Sequence, residues 1–400
     1  SRQLDRTKPL WEMYIVEGLE DGNIAMVTKI HHSTIDGVSG AELLTKLFDL
    51  QPDPGETPED HGPARTLEAR PSELNLVARA MLSRARRPLD ITKLAWRTGR
   101  AVLDVRRVRL SPSTTKAALP LTTPRTSLNA AITPHRRVAF ASMALDDVKR
   151  VKNELETTVN DVVLAVCTGA LRRYLIEQDE LPEQPLVATV PVSVAPKVGA
   201  RRGANKVSAM FVALPCGIED PVKQLLSIHD GTKGAKQEHE ALGAEVLLDW
   251  AEHAAPNVFS AAARAYTRLK LAERHQPIHS LVISNVPGPD FPLYLGGSEL
   301  VAGCPLGPVM DGAGLNVTVM SYRGVLNWGL IACAESVPRL TELAGYLPWA
   351  LEELMSGAGL GPPRSVGIAP GPKGGRQPRK ASAQDQRGAA AKAAGSAKVV

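Results

Sequence analysis

Between Arg136 and Met355 the chain alternates short runs of β-branched and apolar residues with longer stretches of helical spacing, and that alternation restricts the fold more than any other feature. The short runs are Arg137–Met143, Leu186–Val194, Lys206–Leu214, Leu281–Asn285, Leu315–Tyr322 and Val325–Cys333. Among them stand a short helix opened by Asp146 or Asp147, a long one from about Asn160 to Gln178, helical text over Pro221–Leu271 interrupted near Pro256, and an amphipathic Pro338–Met355. Each strand has an apolar face to bury and each helix an apolar stripe, so the pattern predicts an α/β fold in which helices flank a sheet. The front of the chain has the same character. Trp11–Glu17 and Asn23–His32 read as strands joined by a turn at Gly18–Gly22, and Val38, Ala41, Leu44, Leu47 and Phe48 follow at helical spacing.

Two kinds of text separate these units. Gln51–Pro71 and Ser111–Pro134 are rich in Pro and polar residues and read as loops. Leu74–Leu110 mixes Leu, Val, Met, Ile and Trp96 with ten cations (Arg79, Arg84, Arg86, Arg87, Lys93, Arg97, Arg100, Arg106, Arg107 and Arg109), against Asp90 and Asp104 alone. Pro88 is expected to split it into two helices. Two readings of this pair stand side by side: an amphipathic surface lying on an anionic membrane, or a solvated, salt-bridged cover over the domain junction. Gly357–Val400 is Gly/Pro/Ala/Lys low-complexity text, expected to be disordered. The division is therefore 1–60, 61–135, 136–356 and 357–400, with no internal repeat of fixed period.

The net charge of +5 suggests nucleic acid until it is located. Residues 361–400 hold eight basic side chains and one acidic, which leaves 39 basic against 41 acidic over residues 1–360. The body is near neutral, and the tail has no aromatic residue to stack on bases, so no nucleic-acid partner is expected. With 44% apolar and 22% charged residues the 400-residue chain suits two ordinary domains. The longest apolar run, Val162–Leu171, falls short of the ~18 residues a membrane-spanning helix requires. Cys167, Cys216, Cys304 and Cys333 have no CxxC spacing and read as buried thiols in a reducing compartment. A cytoplasmic protein is expected, with any membrane contact peripheral.

The sharpest local feature is His31-His32-Ser33-Thr34-Ile35-Asp36-Gly37, at a strand end and a helix start. Strand alternation puts His32 with Met26, Thr28 and Ile30 and His31 on the opposite face, so the two rings point apart. That disfavours joint chelation of a metal and favours different jobs. A single imidazole suits general-base work, because its ordinary pKa of about 6.5 leaves it mostly neutral at physiological pH. Asp36 is placed to orient the loop or cap the following helix, and Gly37 permits backbone geometry that other residues resist. On residue physics alone, catalysis and an ordinary strand-end turn weigh equally.

The spacing His-His-x-x-x-Asp-Gly resembles the signature of a superfamily of acyltransferases. The surrounding text is more particular: Pro9-Leu10-Trp11-Glu12, Thr158-Val159-Asn160-Asp161-Val162-Val163-Leu164-Ala165, Asn205-Lys206-Val207-Ser208 and Ser284-Asn285-Val286-Pro287-Gly288-Pro289. In this order they resemble the bacterial wax ester synthase/acyl-CoA:diacylglycerol acyltransferase family, over residues 4 to about 356. The resemblance implies two chloramphenicol-acetyltransferase-like halves, mixed sheets flanked by helices, with a channel between them and the histidine motif at its middle. Members carry roughly a hundred further residues before the Pro-Leu-Trp segment, so the first half is expected to be incomplete here.

By the same matching, His32 is the general base that takes the proton of an acceptor hydroxyl as it attacks a thioester, with no covalent acyl-enzyme. His31 supports it, and Asp36 and Gly37 shape the loop. Ser284, Asn285 and Asn160 line the substrate channel, although Asn160 reads better as a helix cap. The implied co-substrate is acyl-CoA and the implied acceptor is diacylglycerol or a long-chain alcohol, met at a membrane or lipid-droplet surface. No metal or cofactor is expected. Two other readings keep the fold and change the function: a carrier-dependent condensation domain, and a lipid-binding chain whose channel no longer catalyses.

Overall fold

The computed structural model describes residues 2–34, 43, 45–53, 55, 72–110, 118–119, 121–193, 207–242 and 256–364. Its centre is a six-stranded mixed sheet in the order β3-β10-β9-β6-β4-β5. The strands are β3 (Arg136–Ala144), β4 (Leu186–Ser193), β5 (Val207–Leu214), β6 (Leu281–Val286), β9 (Leu315–Tyr322) and β10 (Val325–Cys333). β6 runs parallel to both neighbours, β4 and β9, while the outer pairings are antiparallel. β9 turns into β10 through Arg323 (φ 47°) and Gly324 (φ 79°), the pair of left-handed residues that a two-residue hairpin of matching twist requires.

One face of this sheet is dry. Trp328, Leu330, Val317, Val319, Leu281, Ile283, Leu186 and Ala188 alternate inward and are buried in one cluster with α3 (Val159–Glu177) and α6 (Leu340–Gly357). α3 is buried from Asp161 to Thr168 without interruption, as befits a helix that is apolar all round. A short helix, α2 (Leu145–Glu154), and a long one, α4 (Pro221–Leu242), complete the layer, and α5 (Pro256–Arg268) precedes β6. On the other face β9 carries Asn316 and Thr318, and residues 303–308 cross β9 and β10 closely. A Cβ on Gly329 would collide with the Pro305 carbonyl oxygen, so this strand position must be glycine for the crossing to exist.

The front of the chain forms its own two-stranded sheet, β1 (Trp11–Val16) and β2 (Ala25–Ile30), paired from Trp11↔Ile30 to Val16↔Ala25. It docks through Met26 onto Phe48, Leu293, Leu300 and Tyr322. A small hairpin, β7 (Tyr294–Leu295) and β8 (Ser298–Glu299), also joins this patch and has no counterpart in the strand expectations. Its strands are too short to show a period of two.

Two expectations need correction. α1 runs unbroken over Glu73–Leu110, so Pro88 does not divide it. Proline removes one N–H and leaves the Arg84 carbonyl without its intrahelical donor, and the surrounding helix-forming residues carry the helix past that loss. The low-complexity tail also starts later than Gly357. Leu360 packs on the main core, and Arg364 donates its backbone N–H to Asp147 Oδ2 (2.6 Å). The remainder, 365–400, lies outside the described residues, as do Asp36, Gly37 and most of the helix expected after them.

Gly329→Ala is expected to lower unfolding stability by about 1–3 kcal/mol, the usual cost of overpacking. Gly345→Ala, exposed on α6 with no atom within 4 Å of its future Cβ, is expected to raise it by about 0.5–1 kcal/mol. Urea denaturation of the two variants measures both, and equal midpoints would contradict the crossing geometry.

Candidate active site

The strand carrying the two histidines ends earlier than alternation suggested. Pairing stops at Ile30, His31 N–H donates to the Leu10 carbonyl (2.9 Å), and His32 already lies in a turn with Ser33 and Thr34. Alternation therefore does not set the directions of the rings; the turn does. Thr34 donates its backbone N–H (2.9 Å) and its hydroxyl (2.7 Å) to the His31 carbonyl. Ser33 donates its backbone N–H to His31 Nδ1 (3.2 Å), which makes Nδ1 an acceptor and puts the proton of the neutral ring on Nε2. The Ser33 hydroxyl stands 2.8 Å from the same nitrogen. His31 is thus built into its turn, and both His31 and His32 are exposed there.

The chain on both sides of the motif is tied to one place. Met26, ahead of it, and Phe48, behind it, pack on Leu293 and Tyr322, while Asp49 and Tyr294 exchange backbone hydrogen bonds of 2.8 Å. Tyr322 also accepts the Leu293 N–H on its hydroxyl (3.0 Å). Residues 293–294 follow shortly after Ser284-Asn285-Val286-Pro287-Gly288-Pro289, whose Gly288 N–H donates to Ser321 Oγ (3.1 Å). The histidine hairpin and the end of β6 are therefore anchored to the same strand end of β9.

Ser284 and Asn285 sit near the end of β6, both half-buried, beside Thr318 and Val319 in the parallel register. The hydrogen bonds of His31 stay within its own hairpin and reach neither of them. Asn160 is the second residue of α3 and half-buried, while the cap is made by its neighbours. Thr158 N–H donates to Asp161 Oδ2 (3.0 Å), and Asp161 N–H donates back to Thr158 Oγ1 (3.2 Å).

Asp161 is the residue that the motif reading passed over. Its side chain is 1% exposed, yet it is ionised by design of its surroundings: Thr232 Oγ1 (2.7 Å) and His229 Nδ1 (2.7 Å) of α4 donate to it, together with Thr158. Burial pushes its pKa up, and the hydrogen bonds from His229, Thr232 and Thr158 overcome that and hold it below the ordinary carboxylate value. Thr158-x-x-Asp161 is legible as a capping box. Nothing in the sequence links it to His229 and Thr232, some seventy residues on, because that contact exists only once α4 lies across α3.

The described residues offer no group of three His, Cys, Asp or Glu side chains placed to hold a metal ion, and no helix among them is long and apolar enough to cross a membrane. Cys167 and Cys216 are buried, which raises both thiols, Cys216 to about 12, and makes neither a ready nucleophile.

Comparison with known proteins follows the same lines. Residues 1–163 match the wax ester synthase/diacylglycerol acyltransferase catalytic domain, and residues 203–355 match the WS/DGAT C-terminal domain. A Mycobacterium tuberculosis (strain CDC 1551 / Oshkosh) protein named as a diacylglycerol O-acyltransferase is 40% identical over 355 residues, 88% of this chain and 68% of its own length. A Mycobacterium bovis protein with the same kind of name is 36% identical, over 89% of this chain and 76% of its own length. Among solved structures, the wax ester synthase/diacylglycerol acyltransferase of Marinobacter aquaeolei superposes with a TM-score of 0.59 at 32% identity, over 89% of this chain and 73% of that one.

The depressed pKa of Asp161 gives a signed expectation. A carboxylate whose folded pKa lies below its unfolded value adds stability that is present above about pH 4 and lost as pH falls through the folded pKa. Asp161→Asn is expected to be less stable at pH 7 and to lose less on acidification than the natural chain. Denaturant unfolding at about pH 7 and about pH 3, on the two sides of the ordinary carboxylate value near 3.9, measures this, and parallel pH profiles for the two proteins would rule it out.

Proposed function

Because the chain belongs to the wax ester synthase/diacylglycerol acyltransferase family, and is therefore an acyltransferase, we propose that it moves a long-chain acyl group from acyl-CoA to the hydroxyl of diacylglycerol or of a long-chain alcohol. The observation that carries the residue assignment is the division of labour at the turn. It joins the place of His32 in the His31-His32-Ser33-Thr34-Ile35-Asp36-Gly37 motif to the hold of Ser33 on His31 Nδ1, which supports a structural job for the first ring and the base role for the second.

The chemistry needs a base because a neutral hydroxyl is a weak nucleophile. His32 accepts the hydroxyl proton as the acceptor oxygen attacks the thioester carbonyl. The tetrahedral intermediate then expels the CoA thiolate, and the imidazolium returns the proton to that sulfur. One ester bond forms, one thioester bond breaks, and the histidine ends neutral. No acyl-enzyme is required, consistent with buried, raised thiols at Cys167 and Cys216. Positioning both substrates together supplies the remainder of the acceleration.

Ser284 and Asn285 are assigned to the channel wall, as half-buried polar groups at the end of β6, where the His hairpin and β9 share an anchor. Asp36 and Gly37 are assigned to the shape of the loop after His32. Asn160 is assigned a place beside the cap rather than in the chemistry, since Thr158 and Asp161 satisfy the helix start. The enzyme would meet these proposed substrates at the surface of a membrane or a lipid droplet, on the cytoplasmic side.

His32→Ala in the natural full-length protein is expected to lower kcat by about 10²–10⁴-fold with KM for acyl-CoA changed little. Thiol release from long-chain acyl-CoA in the presence of diacylglycerol measures it. Undiminished turnover in that variant would remove the mechanism.

A further inference from the structure

We propose that the outward face of α1 is a docking surface for an anionic lipid layer. Over its last turns the helix buries one side. Ala101 is buried, Val105 and Val108 are half-buried, and Arg109 is held by Glu238 of α4 (2.6 Å). Away from that side stand Leu74 (83% exposed), Met81 (68%), Trp96 (61%), Leu103 (55%) and Leu110 (72%). At 3.6 residues per turn these five fall within about 60° of arc, on the side of the helix opposite Ala101 and Val105. So long an apolar line on an exposed helix marks an interaction surface.

Charge identifies what it meets. Arg100 lies over the Trp96 ring, 4.3 Å from its centre, and Arg106 and Arg107 flank the line formed by Leu103 and Leu110. Arg107 reaches Asp104 at 3.0 Å, an exposed pair that a stronger anion displaces at little cost. Over Leu74–Leu110 ten cations stand against two acids, a net of +8. A protein partner would need a long acidic face with an apolar centre. An anionic phospholipid surface offers both features everywhere: phosphates for the guanidinium groups, and an acyl region for Trp96 and the leucines beneath them. Arginine stems bridge the two layers, with the aliphatic part down and the charge at headgroup level. With 38 residues α1 is about 57 Å long, enough to lie across many headgroups, and too charged to cross the layer.

Vesicle binding by the natural full-length protein tests this without turnover, so its outcome is separate from that of the acyl-transfer reading. Co-sedimentation with phosphatidylcholine vesicles is compared with vesicles also containing phosphatidylglycerol. Binding is expected only to the second kind and is expected to weaken as salt rises. Reversing two charges in Arg100→Glu/Arg107→Glu is expected to weaken it by at least about 10-fold, at roughly fivefold per cation near the surface. Leu103→Gln, an exposed and charge-neutral change, is a second variant, and thermal unfolding confirms that each one folds. Brominated acyl chains are expected to quench a tryptophan signal that Trp96→Phe removes. Equal binding to both vesicle types, full affinity in both folded variants, or no Trp96-dependent quenching, as when another protein segment covers the line, would each overturn the proposal.

Discussion

The burial of α3 is the constraint on which the rest of the fold depends. From Val162 to Leu171 its sequence offers water almost no polar side chain, so the helix can exist only with neighbours on every side. The six-stranded sheet supplies one side, α6 another and α4 a third. A helix start placed inside a protein leaves backbone donors that must be satisfied there. Thr158 and Asp161 do so, and Asp161 then brings a carboxylate into the interior that needs donors of its own. His229 and Thr232 are those donors, which fixes how α4 crosses α3. One apolar run thus determines the layer packing and one charged network within it.

The legible part of this protein is the part governed by periodicity. Each strand of the large sheet lies within one residue of the bounds its sequence predicts, because one face of each is buried in the core and apolar and β-branched residues mark it. Strand order was not legible, since the pairing of β6 between β4 and β9 joins segments about ninety and thirty residues apart. Pro88 misled because its local preference competes with a long helix on both sides. His32 was assigned to a strand because alternation continues through it in the sequence. The Leu10 carbonyl and the side chains of Ser33 and Thr34 end the strand two residues sooner.

The candidate site divides in the same way. His31-His32 and Ser284-Asn285 announce themselves as motifs, but their relation depends on Met26, Phe48, Leu293 and Tyr322, four apolar or aromatic residues with no chemical signature. That patch brings the hairpin and the end of β6 to a common anchor on β9. Residues that position a site are often of this kind: they act by packing, and only the fold shows which ones they are. The exposed line on α1 is the converse, an apolar pattern visible in the sequence whose meaning depends on which side of the helix the protein leaves open.

Direct transfer assisted by His32, rather than transfer through an acyl-enzyme, is the central claim about function, and the two routes differ in their two-substrate kinetics. Initial rates measured while acyl-CoA and diacylglycerol are varied independently should give intersecting reciprocal plots, as both substrates must be bound before the hydroxyl attacks. Parallel lines, the pattern of an acyl-enzyme that forms and lets CoA leave before the acceptor binds, would contradict it.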